Sequence, residues 1–496
     1  MLGAGEGSQS APVSGRWRPR RRRLTGMGWR CLSLPALLVL VVVAGRIAAD
    51  AHRMFHADAL WHLMNGLWIL HHGRIPVHDH FTWSMTGRPW QDSEWGYDLV
   101  LSLSYLAGGY WGMLVLTGAL FAAALAVVWR GAVLVGAKAV PAAVWVAVAG
   151  GLLSAYWKLR PQDMAYLAFA VMLLVLERYR RDQGSSGILW LLPPLGLLWA
   201  NFHGSFVILP AFAALAVAND RLVHRRILTV RRQLGPLVGT FLLPLVNPQG
   251  LGAYTYPFRL AAHESFVAQM TEWRSPDFHD PLYLALGLLA LGALVLPRFT
   301  GRRPSVLRLV FLLGLVIAFL LSRRNGAFLA LYLPLYLAHC GLAWPLGGFH
   351  DRPALNAVLT LAALGAVLVL LPSNRLAAGM PAGACPAGAL GFIAKHGIAR
   401  QTIDADSFYG DCEILRGLPD FIDGRVDLFV LHGSVYREDT ALVSLSAAPS
   451  DVAARYGARY IWVPRPFGLA RYLAADSRWR AVYRGRESVV FRGPPG

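Results

Sequence analysis

Charged residues are scarce in this chain. Asp, Glu, Lys and Arg make up 15% of its 496 residues, whereas hydrophobic residues make up 55%. A soluble protein carries about 25% charged residues. The composition therefore excludes a soluble multidomain enzyme and favours a polytopic membrane protein. We interpret the formal net charge of +19 as a signal of membrane orientation, and we expect no nucleic-acid partner.

Cysteine is rare as well, with four residues in the chain. Cys31 and Cys340 lie in or beside apolar stretches, which is typical of inert packing residues. Cys385 and Cys412 lie in the polar C-terminal region. If that region is extracytoplasmic, an oxidising environment would allow the two to form a disulfide.

Long apolar stretches dominate the middle of the chain. Residues 1–30 are rich in Arg, Gly and Ser and predict a disordered, basic, cytoplasmic tail. About eleven apolar stretches follow, the first from Leu32 to Ala49, at lengths that approach the roughly 20 residues of a spanning helix. Leu99–Trp129 is too long for one span and too short for two. We therefore predict a break at Gly108-Gly109, with a surface-lying helix before it and a spanning helix after it.

Basic residues orient the spans. Lys and Arg concentrate in the alternate loops that face the side of the N-terminus, as the positive-inside rule requires of cytoplasmic loops. This orientation predicts a multi-pass protein of the inner (plasma) membrane, with a transmembrane domain at 31–372 and an external first loop at 50–98. The tail, 373–496, is predicted as a small extracytoplasmic α/β domain, with a helix at 449–456 and strands at 460–463 and 489–491.

Polar side chains gather in the predicted outer loops. Because ionisable residues cost free energy at a membrane surface, such a cluster indicates a functional site. Arginine can fork onto phosphate, a carboxylate can activate a hydroxyl, and indole rings stack on sugars. The pattern suits a lipid-linked, phosphate-bearing substrate that carries a sugar, beside the membrane lipid. Asp58 and Asp163 are predicted as catalytic. The predicted substrate-binding residues are His62, Asp79, Trp90, Glu94, Arg160, Asn201, His203, Arg323 and Arg324. The fourth outer loop adds Glu272-Trp273-Arg274, to which no role is assigned.

Each of these residues also has a structural interpretation. Asp58 could cap the helix that follows it, and His62, one turn later, could be a packed interfacial histidine. Asp79 could be a turn residue, and Glu94 could cap the next helix. Arg160 and Asp163 could form a structural ion pair. For Asp423 and Arg425 in the tail, a structural turn pair is the favoured interpretation.

The first loop resembles that of the GT-C glycosyltransferases. The motif Asp58-x-x-Trp-His62 is followed by Gly73-Arg-Ile-Pro76, Asp79, Gly87 and Trp90. The superfamily includes oligosaccharyltransferase catalytic subunits, protein O-mannosyltransferases and lipid A aminoarabinose transferases. In these enzymes an Asp just after the first helix is catalytic, and Asp58 holds that place. Many place a second acid after an Arg in the next external turn, as Asp163 follows Arg160 here.

The resemblance implies an inverting transferase that moves a sugar from a polyprenyl-phosphate donor to an envelope glycan, lipid or protein on the outer face. Asp58 would be the general base or would align the acceptor. Asp163 would assist the acceptor or a divalent metal. The pattern leaves open whether a metal binds; if one does, Asp58 and Asp163 would be its ligands. Arg160 and Arg323 or Arg324 would hold the leaving phosphate.

The chain also departs from the known branches. The tail lacks the Trp-Trp-Asp-Tyr-Gly motif of oligosaccharyltransferases, and Asp58-Ala59 stands where other branches have two adjacent acids. Residues 199–204, Trp-Ala-Asn-Phe-His-Gly, and 421–425, Phe-Ile-Asp-Gly-Arg, look like features of a bacterial branch. Two rival interpretations stay open, a transporter or flippase and a catalytically inactive GT-C scaffold. A transporter would favour internal repeats and mid-membrane charges, and the sequence shows neither.

Overall fold

The computed structural model describes residues 33–494 apart from 53, 56–57, 91, 183–185, 223–226, 264–269, 342–351 and 381–382. The predicted basic tail at 1–30 lies outside these residues. Helices in the N-terminal three quarters are α1 Leu34–Asp50, α2 Ala59–His72, α3 Trp95–Val135, α4 Ala139–Leu152, α5 Gln162–Arg181, α6 Leu192–Phe202, α7 Ile208–Leu222, α8 Ile227–Leu242, α9 Leu251–Ala261, α10 Pro281–Thr300, α11 Val306–Leu321, α12 Gly326–His339 and α13 Pro353–Leu370.

The tail has short helices and strands. They are α14 Ala387–His396, β1 Thr402–Asp404, α15 Ser407–Leu415, α16 Val426–His432, α17 Val435–Val443, α18 Pro449–Tyr456, β2 Tyr460–Pro464, α19 Gly468–Ala475, β3 Arg480–Arg484 and β4 Ser488–Arg492. The predicted helix at 449–456 and the two predicted strands are therefore confirmed.

Three helices within the described ranges, α3, α10 and α13, are long and apolar enough to cross a membrane. Shorter apolar segments lie at Leu34–Ile47, Ala139–Ala155, Gly187–Phe202, Gly204–Asp220 and Val306–Leu321. Apolar side chains are well exposed on α13, where Val369 is 84% and Leu368 71% accessible. Such a surface suits contact with lipid rather than water. The number of eleven spans stays a prediction.

Helix α3 breaks at Gly108-Gly109, where the sequence predicts the break. Gly109 has φ 59° and ψ −144°, a conformation that favours glycine. A Cβ atom at Gly109 would also stand 2.8 Å from Oδ1 of Asn374. That oxygen accepts a hydrogen bond from the backbone N–H of Trp111 at 2.9 Å, which ties the second half of α3 to the chain after α13.

The tail folds around a four-stranded sheet in the order β1-β2-β4-β3. Strands β1 and β2 are parallel, while β4 runs antiparallel to both β2 and β3. Ile461, Trp462 and Val463 of β2 are fully buried, because helices and loops cover the sheet. Cys385 and Cys412 form a disulfide, which joins the segment before α14 to α15.

The first loop and the tail share one buried core. Trp61, Met85 and Trp90 of the loop pack with Phe421, Ile422 and Phe429 of the tail. The backbone N–H of Trp83 donates to the carbonyl of Asp420 at 2.8 Å. The tail is therefore fixed directly to the loop that carries Asp58.

A buried ion pair joins the same two segments. Nη2 of Arg425 lies 2.8 Å from Oδ1 of Asp79 and 2.5 Å from Oδ2 of Asp423, and all three side chains are inaccessible to solvent. The guanidinium also stacks over the rings of Trp90 and Phe81, with centroid distances of 4.6 and 5.0 Å. The predicted Asp423–Arg425 pair is present, and Asp79 and Trp90 complete its surroundings.

Removing the Asp79 carboxylate should destabilise the protein. Asp79→Asn leaves part of a buried guanidinium without its charged partner, which costs about 2 kcal/mol or more. We expect a lower midpoint of thermal unfolding for the full chain in lipid nanodiscs. Asp476→Asn is the matched control, because its partner Arg478 is 55% exposed and surface pairs contribute little. Equal shifts for the two variants would contradict this account of the junction.

Candidate active site

A cavity of about 730 Å³ lies where the first loop, the outer turns and the tail meet. Residues far apart in the sequence reach it from the start of α2, the turns before α5 and after α6, and two single-turn helices at 271–273 and 323–325. The predicted site residues that line it are Asp58, His62, Glu94, Arg160, His203, Arg323 and Arg324.

Arg160 is the centre of the acidic side of this cavity. Its Nε and Nη2 atoms donate to Oδ2 of Asp58 at 3.2 and 2.6 Å. Its Nη1 donates to Oε2 of Glu272 at 2.7 Å. Burial lowers the pKa of Arg160, but Asp58 and Glu272 outweigh burial and the net shift is upward. Arg160 therefore keeps its charge in this poorly hydrated place.

Two further arginines stand beside this group. The guanidinium of Arg324 lies 4.7 Å from the ring centroid of Trp273, and its Nη1 is 4.0 Å from Oε1 of Glu272. Although burial raises the pKa of Glu272, Arg160 and Arg324 outweigh it and lower that pKa to about 2. Nη2 of Arg323 donates to the Thr271 hydroxyl at 2.8 Å. The two single-turn helices thus hold each other and aim their arginines at one cavity.

Glu94 lies between two histidines that also line the cavity. Its Oε2 is 3.7 Å from Nε2 of His62, and its Oε1 is 3.6 Å from Nε2 of His203. Burial raises the pKa of Glu94 to about 8, despite His62. Burial and Arg324 lower the pKa of His203 to about 3. At neutral pH this side of the cavity is therefore largely uncharged.

A buried polar group supports His62 from behind. Nδ1 of His62 lies 2.6 Å from Oδ1 of Asp98. Nδ2 of Asn65 donates to Oδ2 of Asp98 at 2.7 Å and to Oδ2 of Asp92 at 2.9 Å. The other oxygen of Asp92 accepts the backbone N–H of Glu94 at 2.8 Å. The turn before α3 and the buried face of α2 thus fix the positions of His62 and Glu94 together.

Four predicted site residues lie away from the cavity wall. Asp79 and Trp90 pack against Arg425 in the core shared with the tail. Asn201 accepts a hydrogen bond from the indole N–H of Trp95 at 2.9 Å and one from Asn247 at 3.1 Å. Asp163 is 3% exposed and does not line the cavity. The structure does not bring these side chains to the place where the others meet.

The structure also places residues at the site that received no role from the sequence. Glu272 and Trp273 line the cavity, and Asp98 supports His62. The triplet Glu272-Trp273-Arg274 carries the same pattern of acid, indole and arginine as the other predicted outer loops. Asp98 stands at the start of a long apolar run, where a buried carboxylate is costly without a partner. Both patterns were visible in the sequence.

The described residues do not fit a divalent metal. They contain no group of three or more His, Cys, Asp or Glu side chains arranged to hold one. Oδ2 of Asp58 and both carboxylate oxygens of Glu272 already bond to Arg160, and Asp163 lies outside the cavity lining.

The fold is similar to that of a known membrane transferase. The archaeal oligosaccharyltransferase AglB from Archaeoglobus fulgidus, in complex with an inhibitory peptide and a dolichol-phosphate, matches with a TM-score of 0.58 and 12% identity over 91% of this chain and 71% of that chain. The apo form gives a TM-score of 0.56 and 12% identity over 90% and 70%. The form tethered to an acceptor peptide with the NVT sequon gives 0.54 and 13% over 88% and 70%.

These similarities show a GT-C-like fold. No protein-family model and no curated protein sequence matches the chain. The expected GT-C architecture is thus confirmed at the level of the fold. Identities of 12–13% do not by themselves show which reaction the protein catalyses.

Phosphate binding should weaken as Glu94 loses its proton. The carboxyl is neutral below about pH 8 and negative above it, so an anionic ligand is repelled at higher pH. We expect the affinity for polyprenyl phosphate to fall roughly three- to tenfold between pH 7 and pH 9. Titrations of the protein in nanodiscs measure this change. Glu94→Gln should flatten it, and an unchanged pH dependence in that variant would contradict the assignment.

Proposed function

We propose that this protein is a membrane glycosyltransferase that moves a sugar from a polyprenyl-phosphate donor to an envelope glycan, lipid or protein acceptor. One observation carries the proposal. Arg160, Arg323 and Arg324 come from distant parts of the chain, yet they line one cavity together with the carboxylates of Asp58 and Glu94. Fixed cations beside acid and base groups in a poorly hydrated cavity suit the release of a phosphate leaving group.

The three arginines provide the phosphate site. Arg324 is held by stacking on Trp273 and Arg323 by its bond to Thr271, so both are preorganised. Arginine binds phosphate through two parallel N–H bonds. As the sugar leaves the phosphate, negative charge grows on the phosphate oxygens, and nearby guanidinium groups stabilise it more in the transition state than in the substrate.

Asp58 holds Arg160 in position and lines the cavity. Its location after α1 agrees with the place of the catalytic Asp that the sequence resemblance implies. The described tail residues Ser407, Asp427 and Tyr436 also line the cavity. Their hydroxyl and carboxyl groups, beside the indole of Trp273, suit a hydroxyl-rich acceptor. We place the reaction on the outer face, on the basis of the positive-inside pattern of the loops.

Asp58→Asn should abolish sugar transfer. The amide cannot neutralise Arg160, and the guanidinium would then turn toward Glu272 and lose its orientation. We expect transfer to fall at least about 100-fold in a purified system with radiolabelled polyprenyl-phosphate sugars and envelope extracts as acceptors. Asp277→Asn is the matched control, since this side chain is 67% exposed and bonds to His279. Full activity of Asp58→Asn would refute the proposed role.

Arg324→Gln should weaken donor binding. Loss of one charge-assisted bond to phosphate costs about 1.5–3 kcal/mol, or roughly a 10- to 100-fold lower affinity for polyprenyl phosphate. Arg298→Gln serves as the control because Arg298 is exposed at the end of α10. Binding is measured in nanodiscs at constant salt. Equal affinities of the two variants would exclude Arg324 from the phosphate site.

A further inference from the structure

We propose that His62, oriented by Asp98, takes the proton from the acceptor hydroxyl, while Asp58 serves to fix Arg160. This inference rests on the proposed transferase function and names the base within the same cavity. His62 is thus a catalytic residue in this account, and Asp98 is a positioning residue.

The ring of His62 is held in one orientation. The side chain is 1% exposed, and Trp61 stacks on the ring with a centroid distance of 3.6 Å. Tyr97 meets it edge-on at 5.4 Å. With Nδ1 bonded to Asp98 at 2.6 Å, the Nε2 atom points toward Glu94 at the cavity wall. A catalytic base needs this fixed direction toward the acceptor.

Asp98 sets the tautomer. We assign the Nδ1–H proton to His62, so that the Asp98 carboxylate accepts it and Nε2 keeps a lone pair, as in the carboxylate–histidine arrangements of hydrolases. Asp98 is held in turn by the amide of Asn65 at 2.7 Å and is fully buried. His62 is therefore a proton acceptor on its cavity side.

His203 lies on the other side of Glu94 from His62. Its Nδ1 accepts the backbone N–H of Ser205 at 3.1 Å, and its Nε2 lies 3.5 Å from Nη2 of Arg324. Glu94 is 3.7 Å from Nε2 of His62 and 3.6 Å from Nε2 of His203. These separations are too long for direct hydrogen bonds. In this proposal the acceptor hydroxyl lies beside Glu94, where it can reach Nε2 of His62.

Asp58 is a poor candidate for the base by comparison. Its Oδ2 accepts two N–H groups of Arg160 at 3.2 and 2.6 Å. A carboxylate so tightly bound to a guanidinium holds protons weakly. The same pairing suits a residue that aims Arg160 at the phosphate.

The acceptor oxygen attacks the anomeric carbon of the sugar and forms the new glycosidic bond. Its proton passes to Nε2 of His62. The bond between the anomeric carbon and the phosphate oxygen breaks, and its electron pair stays on polyprenyl phosphate near Arg160 and Arg324. The proton on His62 is then returned to solvent, and Glu94 is the adjacent group that can relay it.

The surroundings of His62 keep it neutral near pH 7. Burial lowers its pKa, and this effect outweighs the opposing influence of the nearby acids. The ionisable groups that face the ring are Glu94, Asp58, Asp92, Asp98 and Arg160. The acid limb of the pH–rate profile should therefore lie below the ordinary histidine value of about 6.5.

Single-turnover transfer tests the assignment in the full chain in nanodiscs. The first readout is the transfer rate of His62→Gln and Asp98→Asn at saturating donor. We expect both to fall about 100-fold or more, with polyprenyl phosphate affinity within threefold of the wild type. The acid limb should disappear in His62→Gln. The second readout is His62→Gly, in which added imidazole should restore transfer in a saturable manner.

His72→Gln is the matched control, since His72 lies on the same helix, is exposed and stacks on Trp68. Its transfer should equal that of the wild type. If the wild type transfers sugar and His62→Gln is also active with an unchanged pH profile, the base assignment is overturned. The transferase function would then still stand. Loss of transfer without rescue in His62→Gly, together with intact donor affinity, would also overturn the base assignment. A wild type that neither binds nor transfers from any polyprenyl-phosphate sugar would refute the proposed function itself.

Discussion

The buried charge of Arg160 is the constraint on which the site depends. A guanidinium that is 13% exposed must be neutralised by neighbouring groups, because charges taken out of water are costly unless paired. Asp58 from the first loop and Glu272 from the fourth loop provide that pairing. The need to satisfy one charge thus brings together loops that are more than a hundred residues apart.

This arrangement links structure to chemistry. A phosphate bound beside Arg160 would join this group of charges, while Asp58 and Glu272 keep Arg160 in position. His62, Glu94 and His203 line the same cavity, and Nε2 of His203 lies 3.5 Å from Nη2 of Arg324. The proposed phosphate-binding and proton-accepting groups therefore stand beside each other, and desolvation and nearby cations shift the pKa of each group differently.

Local sequence patterns predicted part of this structure well. The break at Gly108-Gly109, helix α18 and strands β2 and β4 follow from glycine conformation and apolar periodicity. Strands β1 and β3 were missed, because β1 has three residues and β3 begins and ends with arginine. In the site, His62 and Arg160 stood out as polar residues beside apolar runs. Asp79 was placed with them, but its partner Arg425 comes from the distant tail, and no local pattern shows such a pairing.

An experimental structure of the wild-type protein in nanodiscs with bound polyprenyl phosphate tests the central claim most directly. The account predicts that the phosphate lies in the cavity within hydrogen-bond distance of Arg160 and Arg324, with the Nε2 atom of His62 facing the same space. A phosphate bound elsewhere, beyond hydrogen-bond distance of Arg160 and Arg324, would contradict it.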